Sequence, residues 1–176
     1  MERGNRSDQR QPPKTGSSQQ TEEHMTSTPP TINVLLVEDN PDDVDLIKES
    51  LSEATEAQFE VQTEERLERA QHQFAIREFD IVLLDLGLPD SSGLATLEAV
   101  LAWQTGVPVV VLTGLAEEII GTQAVELGAQ AYLVKRLESF AALPASLLSA
   151  VEQHQAQRTE APGGLMGWLR RLMGGS

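Results

Sequence analysis

The sequence predicts an α/β fold with a parallel sheet and helices on both faces. Five short apolar runs alternate with five amphipathic stretches, and the polar residues of interest gather where the runs end. Four of the runs are nearly continuous in branched apolar side chains, as strands buried on both faces are. At 176 residues the chain has the length of one ordinary domain with ends left over.

Residues 1–31 contain almost nothing apolar and are rich in Gln, Ser, Thr, Pro and Arg. Such a segment cannot repay its ordering entropy, so it predicts a disordered tail. Met25 lies inside it, and the sequence leaves open whether the native start is there or at Met1. The folded region is expected over 32–154.

The first strand, 32–37, runs into Glu38-Asp39-Asn40. A helix follows over 41–54, with Pro41 in its first turn and Asp42 and Asp43 placed to suit the helix dipole. Its inner face is Leu46, Ile47, Ser50 and Leu51. Residues 59–63 alternate instead of running apolar, which fits an edge strand. Helical spacing returns over 66–78 through Leu67, Ala70, Phe74 and Ile76. The run 80–84 ends at Asp85, and 93–103 is helical through Leu94, Leu97, Val100 and Leu101. The run 107–112 ends at Thr113, and the helix 116–127 stops at Gly128, a natural C-terminal cap. The last run, 131–134, ends at Lys135, and Pro144 opens a final helix carrying Leu147, Leu148 and Val151.

Residues 155–163 are polar and end in Pro162-Gly163, which predicts a linker. Beyond it, Leu165, Trp168, Leu169 and Leu172 share one helical face, with Arg170 and Arg171 mostly elsewhere. The segment 164–176 is therefore a candidate for docking in a partner's groove or on a membrane surface. Packing back on its own domain and fraying are the competing readings.

Composition narrows the function. There is no cysteine, which removes disulfides, thiolate metal sites and cysteine nucleophiles. No apolar run approaches the roughly 20 residues that span a bilayer, and the N-terminus lacks a signal-peptide core, so a cytoplasmic protein is expected. The net charge is −14. Residues 1–31 are balanced and 155–176 sum to +2, so 32–154 carries −16. A field of that sign argues against binding nucleic acid and would be relieved by a cation. His24, His72 and His154 are scattered and show no ligand spacing.

The chemistry lies at the strand ends. Glu38 and Asp39 close the first strand, Asp85 the third, Thr113 the fourth and Lys135 the fifth. In open α/β sheets, sites form outside the carboxyl ends of the strands. Three carboxylates held together resist ionising, and a hard cation such as Mg²⁺ resolves the conflict with carboxylate, water and phosphate oxygens. Lys135 adds a positive charge and Thr113 a hydroxyl donor, both suited to a phosphoryl group. Together they suit phosphoryl transfer to a carboxylate. The bland readings are that Asp85 caps a helix, Glu38 and Asp39 serve the dipole of 41–54, Lys135 and Arg136 form a solvated pair, and Tyr132 is core. The coincidence at four strand ends outweighs them for the charged residues.

The segments VLLVEDNPDD, IVLLDLGLPDSSGL, VVVLTG and AYLVK resemble the receiver domains of bacterial response regulators, over about 32–154. The resemblance implies a flavodoxin-like sheet of order 2-1-3-4-5 and makes Asp85 the phosphoacceptor. It implies Asp39 as a direct Mg²⁺ ligand, Glu38 as one acting through water, and Gly87 as a backbone-carbonyl ligand. Thr113 and Lys135 take the phosphoryl-sensing roles, and Tyr132 the aromatic whose rotamer follows phosphorylation. The implied partner is a histidine kinase or phosphotransfer protein.

Two departures stand out. Arg136 replaces the proline usual after the lysine, which predicts a more mobile loop, and Gly114 leaves the phosphoryl pocket open. The function expected is a stand-alone receiver, not an enzyme in the usual sense, that signals by phosphorylation-dependent protein contacts. A relay shuttle or phosphate sink and a receiver-shaped adaptor acting without phosphate are the alternatives. An aspartyl-phosphate phosphatase is disfavoured because Gly87 stands where its second Asp would be. A flavin binder is disfavoured by the acidic pocket and the lack of a Gly-rich loop after the first strand.

Overall fold

The computed structural model describes residues 28–103, 106–114 and 118–160. The elements are β1 (Thr31–Val37), α1 (Pro41–Ser52), β2 (Gln58–Glu64), α2 (Leu67–Ile76), β3 (Ile81–Asp85) and α3 (Leu94–Ala102). β4 (Val109–Thr113), α4 (Glu118–Leu127), β5 (Ala131–Val134), α5 (Leu137–Ala141) and α6 (Leu143–Glu160) complete the order. All five strands are parallel, in the order β2-β1-β3-β4-β5. This is the flavodoxin-like arrangement the resemblance implies.

Strand periodicity divides the core. Val34 and Leu36 of β1, Ile81 and Leu83 of β3, and Val110 and Leu112 of β4 point to one face, against Ile47 and Leu51 of α1 and Leu143 and Leu147 of α6. Leu35, Val37, Val82, Leu84 and Val111 point to the other, against Leu97 and Val100 of α3 and Ala124 of α4. Every residue of β3 and β4 is buried, whereas β2, at the sheet edge, is half-buried. That difference is why the central runs read apolar and β2 reads alternating.

Several boundaries differ from the expected ones. Asp80 lies outside β3, and its carboxylate accepts from Asn33 N at 2.7 Å and Asn33 Nδ2 at 3.1 Å. Gly93 lies outside α3 with φ 64°, a left-handed conformation that glycine adopts without a Cβ penalty. Residues 137–141 form α5, an element without a clear signal in the sequence; Arg136 precedes it, and the Arg136 carbonyl accepts from Ser139 N and Phe140 N. The linker expected from 155 is corrected in its first six positions, because α6 continues to Glu160. His154 Nε2 and Arg158 Nη1 both reach the Gly106 carbonyl, at 2.9 and 3.1 Å, and tie that end of the helix to the loop before β4. The amphipathic segment 164–176, most of the N-terminal tail and residues 115–117 lie outside the described residues.

Candidate functional site

The carboxyl ends of β1, β3, β4 and β5 bring the expected residues to one edge of the sheet. Glu38 follows β1, and its amide donates to the Glu64 carbonyl at 3.0 Å, extending the β1–β2 ladder by one step. Its side chain is fully buried. Oε1 accepts from Asn40 N at 3.0 Å, and Oε2 lies 2.6 Å from Lys135 Nζ. Asp85, the last residue of β3, is also buried; Oδ1 accepts from Gly87 N at 3.1 Å and Oδ2 from Lys135 Nζ at 2.9 Å. Asp39 is exposed. One carboxylate oxygen each from Glu38, Asp39 and Asp85 lie within 4.8 Å of one another.

Thr113 ends β4 with its side chain fully buried, and Oγ1 has no hydrogen-bond partner. A buried hydroxyl without a partner is costly, and its position here is that of a donor waiting for an acceptor. Lys135 is anchored beside it, because its amide donates to the Thr113 carbonyl at 2.8 Å.

One member of the cluster was not foreseen. Asp43, in the first turn of α1, places Oδ2 3.0 Å from Lys135 Nζ. By sequence, Asp42 and Asp43 share the same dipole role. In the structure the orphan amide of Asp42 is capped by Asn40 Oδ1 at 3.1 Å, and Asp43 turns inward. The only signal in the sequence was the spacing: Asp43 is the third helical residue above the strand end that carries Glu38.

Charge follows from this geometry. Burial pushes the Glu38 carboxyl up to about 7; the hydrogen bonds from Lys135 and Asn40 N oppose the rise, and the Asp85 charge adds to it. Burial alone would lower Lys135, but hydrogen bonds to Glu38, Asp85 and Asp43 outweigh it and hold the ammonium above its usual range.

Two neighbouring contacts frame the site. Tyr132, in β5, lies against α4 at Gly121, where a Cβ would come within 2.7 Å of ring Cγ and 2.8 Å of Cε2. Asp90, in the loop after β3, accepts from Leu67 N at 3.1 Å and Glu68 N at 3.2 Å, so it caps α2 from outside. The residue at the helix's own cap position, Arg66, makes no side-chain cap bond.

Residues 34–147 match the response regulator receiver domain family. The chain belongs to that family. The KDP operon transcriptional regulatory protein KdpE of Escherichia coli K12 is 35% identical over 134 residues, covering 76% of this chain and 56% of that protein. The regulatory protein AtoC of the same organism is 32% identical over 105 residues, covering 59% of this chain but only 22% of its own length. This chain thus spans about half, or less, of these curated relatives. Among solved structures, full-length FixJ from B. japonicum aligns with a TM-score of 0.65 at 24% identity, over 74% of this chain and 63% of that one. A CheY-like receiver domain protein from Methanospirillum hungatei JF-1 aligns with a TM-score of 0.59 at 22% identity, over 72% of this chain and 98% of that one. At those identities the structural likeness speaks to the fold alone. Receiver domains are signalling modules of two-component systems, and phosphorylation and Mg²⁺ are typical of them.

Proposed function

We propose that this receiver accepts a phosphoryl group on Asp85 from a histidine kinase or phosphotransfer protein and passes the signal on through protein contacts. The observation that carries the reading is the convergence of Asp85, Lys135 and the unpartnered Thr113 hydroxyl beside an acidic pair. A carboxylate oxygen of Asp85 attacks the phosphorus of a phosphohistidine. The P–N bond breaks, the imidazole nitrogen keeps the electron pair, and an acyl phosphate forms on Asp85. The Thr113 hydroxyl and the Lys135 ammonium then donate to the phosphoryl oxygens.

The donor set fits Mg²⁺, which takes one or two carboxylates and keeps waters and phosphate oxygens. Asp39 and Asp85 would ligate it directly, Glu38 through water, and Gly87 through its carbonyl. When bound, the cation would neutralise charge on the phosphoryl group. The output surface is assigned to α4, β5 and the elements after it, where Ile119 and Leu137 stand 78% and 73% exposed. Tyr132, between that surface and the site, is assigned the switch role together with Thr113.

The test is phosphorylation by acetyl phosphate with Mg²⁺, read by intact mass on wild type and Asp85→Asn. The expected result is a Mg²⁺-dependent gain of about 80 Da, one phosphoryl group, in wild type only. No gain in wild type, or an equal gain in Asp85→Asn, refutes the assignment.

A further inference from the structure

An ammonium has three N–H donors. Nζ of Lys135 donates to Asp43 Oδ2 at 3.0 Å and to Asp85 Oδ2 at 2.9 Å and lies 2.6 Å from Glu38 Oε2 as an ion pair, so three carboxylates surround it. A phosphoryl oxygen on Asp85 must compete with these three carboxylates for the ammonium. The acceptors differ in what release costs. Glu38 is fully buried and held at its other oxygen by Asn40 N. Asp85 carries the phosphoryl group itself. Asp43 is the most open of the three, its side chain 20% exposed against 0% for Glu38 and 11% for Asp85. It also sits on a different element, the first turn of α1, where water can replace the lost partner.

We propose that Asp43 is a positioning residue that holds the Lys135 ammonium in the resting protein and competes with the incoming phosphoryl group for it. The inference rests on the assignment of Asp85 as phosphoacceptor and adds a residue to that site. Neutralising the competing carboxylate weakens its hold on the ammonium in advance, so a phosphoryl-like anion binds more tightly. Asp43 also suits the helix dipole from the first turn, a position Asp42 shares, whereas the carboxylates paired with Lys135 are Glu38, Asp43 and Asp85. Asp42→Asn therefore carries the same charge change without the contact.

The experiment measures the affinity of beryllofluoride, an anionic phosphoryl mimic, with saturating Mg²⁺, by titration on wild type, Asp43→Asn, Asp43→Glu and Asp42→Asn. Asp43→Asn should lower the Kd by roughly fivefold, the size of one charge-assisted hydrogen bond partly screened by solvent. Asp42→Asn should change it by less than about twofold, as a screened surface charge does. Asp43→Glu, which restores a carboxylate, should return it towards wild type. Equal effects of Asp43→Asn and Asp42→Asn would reduce the role to a general field and overturn the proposal. So would an unchanged or weaker affinity in Asp43→Asn while wild type binds normally. A wild type that binds no beryllofluoride and gains no phosphoryl mass overturns the Asp85 assignment and this inference together.

Discussion

A methyl group added at Gly121 has nowhere to go while the Tyr132 ring stays in place. An ideal Cβ there would stand 2.7 and 2.8 Å from two ring carbons, well inside van der Waals contact. Gly121 is buried in the first half of α4, so Gly121→Ala has two opposed effects. Helix propensity favours Ala over Gly by about 1 kcal/mol. Overpacking a tight contact costs about 1–3 kcal/mol. The single variant should thus be between neutral and about 2 kcal/mol less stable. In a Tyr132→Ala background the clash is gone, and the same change should stabilise by about 1 kcal/mol. Urea unfolding of the four proteins of this cycle gives the coupling directly, expected at about 1–3 kcal/mol. A coupling below about 0.5 kcal/mol, the usual scatter of additive sites, would show that the ring is not seated on Gly121.

Lys135→Met leaves the buried Glu38 carboxylate without its cation. A carboxyl whose pKa is raised on folding stabilises fully below its unfolded value and loses that contribution as pH rises through the folded one. Glu38 is already pushed up to about 7, and loss of Lys135 raises it further. The variant's deficit, measured by urea unfolding in EDTA, should therefore grow from pH 5 to pH 8; a constant deficit would count against the buried pair. Asp90 behaves in the opposite sense. Its slight burial would raise the carboxyl, but hydrogen bonds from Leu67 N and Glu68 N hold it below its ordinary 3.8. Its contribution is present above that value and lost as pH falls through the folded one. Asp90→Asn should cost about 0.5 kcal/mol at neutral pH, the low end for a cap because the site is exposed, and nothing near pH 2. Thr113→Val keeps the shape and removes an unpartnered buried hydroxyl, so the resting protein should gain about 1 kcal/mol in thermal melts; a loss would mean the hydroxyl is satisfied.

The sheet was legible because β1, β3 and β4 are buried on both faces and so carry unbroken apolar runs. The site was legible for the same reason: a charged or hydroxyl residue that ends such a run has only the sheet edge to occupy. What the sequence hid is non-local. Asp43 meets Lys135 across 92 positions, and only the rotation of α1 over the sheet decides that it, and not Asp42, turns inward. Asp90 caps a helix 22 and 23 residues before it, which no local capping pattern encodes. The extent of α6 was missed because its last turns are polar. A solvated helix needs no apolar face to continue, only backbone hydrogen bonds and an anchor, here the Gly106 carbonyl.

Three carboxylates around one ammonium, with Asp39 beside two of them and a charge of −16 over 32–154, also bear on which donors reach Asp85 unaided. A free phosphorylated metabolite is an anion and approaches this mouth uphill. Screening lowers that barrier, because the Debye length shrinks from about 30 Å at 0.01 M salt to about 8 Å at physiological strength. A protein donor meets the same repulsion but offsets it with contact area laid over the surrounding surface. On the proposed reading, the acidity that looks like simple solubility would slow free anionic donors without barring them, so labelling by acetyl phosphate should quicken as salt rises.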